Sequence, residues 1–200
     1  MKYSRTLIAL VGVIVIAFVV IGVRIVIWSG QATDSGKAIP AIGGPFTLTD
    51  QTGKTVSDRD FRNRYMLIFF GYTYCPDVCP TALSTVASAL DKLDPSFAKK
   101  LVPIFISVDP ERDTPEVMKN YVEAFGPSFQ GLTGTSEDIA KVAKEFKVYA
   151  AKVKGETPGS YTVDHSAIFY LMGPDGRFIA HFTHGITPEE LAAGLKKHIG

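Results

Sequence analysis

Two cysteines, Cys75 and Cys79, stand four residues apart in "GYTYCPDVCP", each followed by a proline, and they are the only cysteines in the chain. Sulfur at this spacing admits three kinds of chemistry: a structural disulfide, a dithiol redox pair or a soft-metal site. A disulfide here would close a tiny loop, and stabilisation by loop closure grows with loop length, so it would be a poor staple. Pro76 shapes the local backbone. The residue before a proline avoids the helical region, which predicts Cys75 at a helix N-cap with Pro76 at the first helical position. Cys79 then falls about one turn later on the same side. The free amides of a first helical turn, and the positive end of the helix dipole, favour thiolate there.

A third donor is available. Of the four histidines, His181 and His184 lie in or just after a late strand. His198 falls in the last turn of the final helix, where a cation complements the dipole. His165 instead precedes "AIFYL", a strand expected to lie beside the one that leads into the cysteines. Two thiolates and an imidazole form a set of two sulfurs and one nitrogen. Soft sulfur selects Cu(I), the nitrogen lets the site also tolerate Cu(II), and zinc would want a fourth ligand. On these residues alone, a metal-free redox pair and an ordinary strand-end histidine both stay open.

Three carboxylates border this constellation. Asp109, in "SVDPERDTPE", ends an apolar run and is expected beside the same cleft, supporting a ligand or contacting a partner rather than ligating. Asp77, between the cysteines, is placed to favour the helix start through the dipole. Asp164 is a candidate to orient His165. Tyr72 reads as core by strand alternation, and Tyr74 as a shield or partner contact.

The elements that must position these residues are legible from pattern. "PFTLTDQTGKTVS" has two alternating runs around Asp50 and Gly53, a hairpin signal. "RYMLIFFGY" and "LVPIFISVD" are short, continuously apolar runs that suit buried strands. Between them, residues 81–93 carry Leu83, Val86, Leu90 and Leu93 at helical spacing. "TPEVMKNYVEAF" is a helix with Thr114 as cap and Pro115 at its first position, and "SEDIAKVAKEF" is a helix with a serine cap. "VYAAKV" and "AIFYLMGPDGRFIAHF" supply the last strands, the latter folding at Gly173-Pro174-Asp175-Gly176. "TPEELAAGLKKHI" closes the chain with a capped helix. The order predicts an α/β fold, a mixed sheet flanked by helices with an N-terminal β-hairpin. The cysteines fall at the carboxyl end of a buried strand, where such sheets place their sites.

The formal net charge of +1 provides no basic stripe for nucleic acid. The hydrophobic share of 46% is high for a soluble domain. Residues 7–28 account for much of the excess and, at about 1.5 Å per residue, reach roughly 33 Å, a membrane-spanning length. Lys2 and Arg5 in front of this segment put residues 1–6 on the cytoplasmic side. Arg24 can snorkel to the interface beside Trp28. A cleaved signal peptide is the competing reading, with only Gly30-Gln31-Ala32 resembling a cleavage site. Residues 29–39 read as a linker and residues 40–200 as the globular domain, which either reading puts in a periplasm-like space.

The strand–cysteine–helix layout resembles a thioredoxin fold. The usual redox pair of that fold has two intervening residues, where this chain has three, and a proline before the facing strand, where this chain has His165. Taken together, "GYTYCPDVCP", "SVDPERDTPE" and "YTVDHSAIFYLMGPDG" resemble the Sco/SenC copper proteins, over residues 40–200 and in the same order. The resemblance implies a thioredoxin-like copper-binding domain, preceded by one transmembrane helix and held at the periplasmic face of the inner membrane. It implies copper, as Cu(I) and Cu(II), bound by Cys75, Cys79 and His165. The implied role is a metallochaperone that takes copper from a periplasmic donor and delivers it to the dinuclear centre of cytochrome c oxidase subunit II, or to another copper-accepting protein. Two alternatives accompany it: a thiol–disulfide oxidoreductase acting on the apo-subunit through Cys75 and Cys79, and a copper or redox sensor.

Overall fold

The computed structural model describes residues 14, 16, 18–22, 24 and 42–199. The described residues between 14 and 24 are helical. Among the described residues no helix is long and apolar enough to cross a membrane. Most of the expected span over 7–28, the segment 1–6 and the linker 29–39 lie outside the described residues.

Residues 42–199 belong to one compact unit. A hairpin of β1 (Thr47–Asp50) and β2 (Thr55–Ser57) comes first. The Asp50 carboxylate closes its turn by accepting the amides of Thr52 and Lys54 at 2.8 and 3.0 Å. Then follow β3 (Tyr65–Gly71), α1 (Val78–Asp91), the short α2 (Pro95–Ala98), β4 (Leu101–Ser107), α3 (Pro115–Glu123), β5 (Gln130–Thr133) and α4 (Ser136–Glu145). The chain ends with β6 (Ala150–Lys154), β7 (Tyr161–His165), β8 (Ile168–Met172), β9 (Phe178–Thr183) and α5 (Pro188–His198). Seven strands form a mixed sheet in the order β2-β1-β5-β4-β3-β8-β9, and β6 and β7 pair apart from it. β3, β4 and β5 run parallel, and β8 lies antiparallel to β3.

The apolar runs explain the centre of this sheet. Side chains alternate across a strand, so a strand covered on both faces must be apolar at every position. Leu67 and Phe69 of β3 enter a core with Leu83, Phe105, Leu171 and Leu195. Ile68 and Phe70 enter a second core with Ile104, Leu132, Val142 and Phe146. Cys79 belongs to the first core.

Three features depart from the sequence expectations. β5 lies between the two middle helices, where "QGLT" is too short to show a period. The serine expected to cap α4 is its first residue, and Thr135 is the cap, its hydroxyl accepting the Asp138 amide at 3.1 Å. "YTVDH" is itself a strand and pairs with β6, so "VYAAKV" contributes to an outlying ribbon rather than to the main sheet. Polar residues line both of these strands, which have no second apolar face to offer.

Leu83 is fully buried where α1 meets the sheet. Leu83→Ala is expected to cost about 2–5 kcal/mol, read as a lowered denaturant midpoint with an unchanged slope.

Candidate metal centre

The cysteines are set by the end of β3 and the start of α1. After Gly71 the chain turns, and the Cys75 amide donates to the Tyr72 carbonyl at 3.2 Å. The helix does not begin at Pro76, as the sequence suggests, but at Val78 with Asp77 in the cap position. Pro80 is the reason. A helix starting at Pro76 would need the position-80 amide to donate to the Pro76 carbonyl, and proline has no N–H and a ring that clashes there. Starting at Val78 puts Pro80 in the first turn, where its missing donor is harmless. Cys79 consequently lies in that first turn, with no exposed surface, while Cys75 stays half-buried outside the helix. The Cys79 amide points at the Cys75 sulfur, 3.4 Å away.

His165 ends β7, and its Nε2 lies 3.4 Å from the Cys79 sulfur. The ring stands edge-on to Phe69 and Tyr72, with centroids 6.0 and 5.9 Å away. Its Nδ1 lies 3.3 Å from the Ser166 carbonyl. A carbonyl only accepts, so the neutral tautomer protonated at Nδ1 satisfies this contact and leaves the Nε2 lone pair free for a metal held with the sulfurs. The two Sγ atoms and the imidazole nitrogen all lie within 4.8 Å of one another, a group that could hold a metal ion. Two soft sulfurs and one nitrogen suit copper.

The two thiols are electrostatically unequal. The Cys79 S–H donates to the Cys75 sulfur, and with the Cys79 and Asp77 amides this brings the Cys75 pKa down to about 5. The proton stays on Cys79, whose pKa is raised by that same bond and by burial. Cys75 is therefore the accessible thiolate at neutral pH, and Cys79 the protonated partner behind it.

The structure places the carboxylates away from the donors. Asp77 is exposed, and its side chain accepts from the Thr81 hydroxyl at 3.4 Å rather than from a helix amide. Asp164 is exposed on the opposite side of β7 from the imidazole, whose hydrogen-bond neighbour is the Ser166 carbonyl. Asp109 is fully buried, which takes it off any docking surface. It accepts the guanidinium Nε of Arg112 and, at 2.9 Å, the hydroxyl of Tyr161. Tyr72 is buried against His165, and Tyr74 is 61% exposed beside Cys75.

Several residues around the site were not singled out from sequence. Asp113 is fully buried and accepts the Ser107 hydroxyl at 2.6 Å, the Thr73 hydroxyl at 2.6 Å and the Thr73 amide at 3.1 Å. Burial raises its pKa. Tyr121, from α3, packs on Phe105 with its hydroxyl buried and unpaired, and burial raises its pKa as well. The acid–x–x–x–acid spacing of Asp109 and Asp113 was the available signal for the first of these. For Tyr121 helical periodicity indicates only an inward face.

A mixed sheet with a cysteine pair between a central strand and its following helix defines a thioredoxin-like domain. An imidazole facing that pair makes it a domain with a three-donor metal site. Residues 34–200 match the SCO1/SenC family model, and the chain belongs to that family. It is 43% identical over 161 residues to the human mitochondrial SCO1 homologue, covering 80% of this chain and 54% of that protein. The chain spans about 50–60% of the length of the human SCO1 homologue, the Schizosaccharomyces pombe sco1 protein and the Arabidopsis thaliana SCO1 homologue 1. Copper-bound ScoI of Bradyrhizobium japonicum is 53% identical with a TM-score of 0.72, over 79% of this chain and 99% of that one. BsSco, described as having a disulfide switch and as a member of the Sco family of cytochrome c oxidase assembly proteins, is 27% identical with a TM-score of 0.63, over 80% of this chain and 95% of that one.

Alkylation of the copper-free, reduced chain is expected to be fast at Cys75, with its rate following a midpoint near 5. Cys79→Ala removes the S–H donor and is expected to move that midpoint toward the ordinary thiol range, read by iodoacetamide kinetics against pH. Because the folded pKa lies below the unfolded one, the Cys75 thiolate contributes stability that is full above the ordinary thiol pKa. That contribution is lost as pH falls through about 5.

Proposed function

We propose that this chain is a copper metallochaperone, anchored by residues 7–28 in the inner membrane with its globular domain in the periplasm. The observation that carries the reading is the convergence of the Cys75 and Cys79 sulfurs and His165 Nε2 within 4.8 Å of one another. Copper bound in structures of relatives supports it. Cys75 and Cys79 bind Cu(I), and His165 adds the nitrogen that extends the site to Cu(II). The copper is cargo, received from a periplasmic donor. Handover proceeds by ligand exchange. The half-buried Cys75 is reachable by an incoming ligand, while Cys79 and His165 hold the ion from behind. The acceptor is a protein taking part in cytochrome c oxidase assembly, and within that, the dinuclear copper site of subunit II. Occupied sulfurs cannot pair with each other, so metal loading also blocks a Cys75–Cys79 disulfide.

A second reading is favoured by the inequality of the thiols. An accessible thiolate backed by a buried, protonated thiol is the arrangement of a dithiol reductant, with Cys75 attacking a target disulfide and Cys79 resolving the mixed disulfide. Both cysteines serve either reading, whereas His165 serves only the first.

The deciding experiment titrates copper into the reduced full-length chain against a Cu(I) chelator, followed by Cu(II) absorption and EPR. Wild type is expected to take one tight equivalent. His165→Ala is expected to weaken Cu(II) binding by more than ~10-fold. Binding that ignores His165 would leave the reductant reading in its place. Deletion of residues 7–28 is expected to move the protein from the membrane to the soluble fraction after cell breakage.

A further inference from the structure

The three donors sit on two pieces of structure that no main-sheet ladder joins. Cys75 and Cys79 belong to the loop and helix after β3. His165 belongs to the β6–β7 ribbon, which pairs only with itself. A two-stranded ribbon is marginally stable alone, so something must hold it in place. Val163 supplies one buried apolar contact. Tyr72, on which His165 packs, meets the Val163 backbone through its hydroxyl, and the other polar fastenings to the ribbon come from one segment, residues 107–113.

That segment grips both sides. Toward the cysteine loop, Asp113 accepts the amide and hydroxyl of Thr73, two residues before Cys75. Toward the ribbon, Asp109 accepts the Tyr161 hydroxyl, Arg112 Nη1 donates to the Tyr161 carbonyl at 3.2 Å, and Glu111 pairs with Lys152 at 2.6 Å. The segment is braced internally, with the Ser107 hydroxyl donating to Asp113 and accepting the Asp109 amide. Arg112 lies at the centre. Its guanidinium carbon is 3.8 Å from the ring centre of Tyr161 on the ribbon, and 4.8 and 5.6 Å from those of Tyr74 and Tyr72 in the cysteine loop. Its Nη2 is buried without a hydrogen-bond partner, so that part of the group is held by the aromatic faces.

We propose that residues 107–113 form a bracket that sets the separation between the sulfur pair and the imidazole, and that Arg112 is its positioning residue for His165. Arg112 touches neither sulfur nor imidazole. It acts by clamping Tyr161, four residues before His165 on the same strand. The inference deepens the copper-site reading given above.

Arg112→Ala would strand the buried Asp109 carboxylate and could unfold the domain. The test therefore uses Arg112→Lys, which keeps the charge but loses the planar fork, and Tyr161→Phe, which removes one hydroxyl. The readouts are hydrogen exchange and imidazole ¹⁵N resonances on the copper-free full-length chain. Arg112→Lys is expected to speed exchange of the β7 amides by about 10-fold and to shift the His165 resonances, with β3 and β4 amides unchanged. Tyr161→Phe is expected to do the same to a smaller extent. Wild-type β7 exchange and an unmoved His165 in both variants would overturn the proposal. So would uniform acceleration across the domain, which would make Arg112 a general stabiliser. A parallel Cu(II) EPR spectrum of wild type separates the two readings. Absence of copper binding there would sink the copper function while the metal-free data still decide the bracket.

Discussion

The sulfur of Cys79 occupies space that a side chain at position 71 would need. A Cβ built on Gly71 would lie 2.6 Å from that sulfur and 2.7 Å from the Phe105 ring. This close approach between the end of a central strand and the first turn of the following helix is the constraint on which the site depends. It requires glycine at the strand end, a helix that starts late enough to bring Cys79 inward, and a sheet rigid enough to hold the gap. The rigidity comes from β3, which β4 and β8 pair on either side and apolar clusters cover on both faces.

The burial of Cys79 has a chemical consequence. A thiol with no water around it resists ionisation, while its neighbour, lined by amides and an S–H donor, ionises readily. One dithiol therefore presents a single accessible thiolate backed by a proton reservoir. The two readings proposed above, copper capture and disulfide reduction, would both begin from that state. What separates them is the imidazole, which adds a third donor for a metal and contributes no atom to thiol–disulfide exchange.

The imidazole is supplied by a piece of structure with little hydrophobic support of its own. Beside its packing on Phe69 and Tyr72, the ribbon is fastened by charge and hydrogen bonding through the segment after β4, which meets the cysteine loop at Thr73 and the ribbon at Tyr161. Buried carboxylates at Asp109 and Asp113 are costly unless partnered, and beside its partner within the segment each has one in another element, Tyr161 for Asp109 and Thr73 for Asp113. That cost makes the arrangement specific: displacement of Thr73 or Tyr161 leaves a buried carboxyl oxygen short of a donor.

By itself, the sequence determined the sheet's central strands, most helices, the two hairpin turns and the pairing of the two cysteines at one helix start, while His165 stood as one candidate donor whose approach to them only the fold decided. Each of the features so determined has a local cause: an uninterrupted apolar run, a capping threonine before a proline, a Pro-Asp-Gly turn, two cysteines four residues apart at a strand-to-helix junction. Only the tertiary structure decided the rest. The start of α1 at Val78 follows from competition between Pro76 and Pro80 for the same turn. β5 is too short to declare a period and exists because β4 and β1 lie on either side of it. The roles of Arg112, Asp113 and Tyr161 depend on pairings between residues about 40–50 positions apart in sequence. Such contacts leave no periodic trace in the chain. Their residues are read locally as turns and surface charge, and they gain meaning only once folding has taken the water from between them.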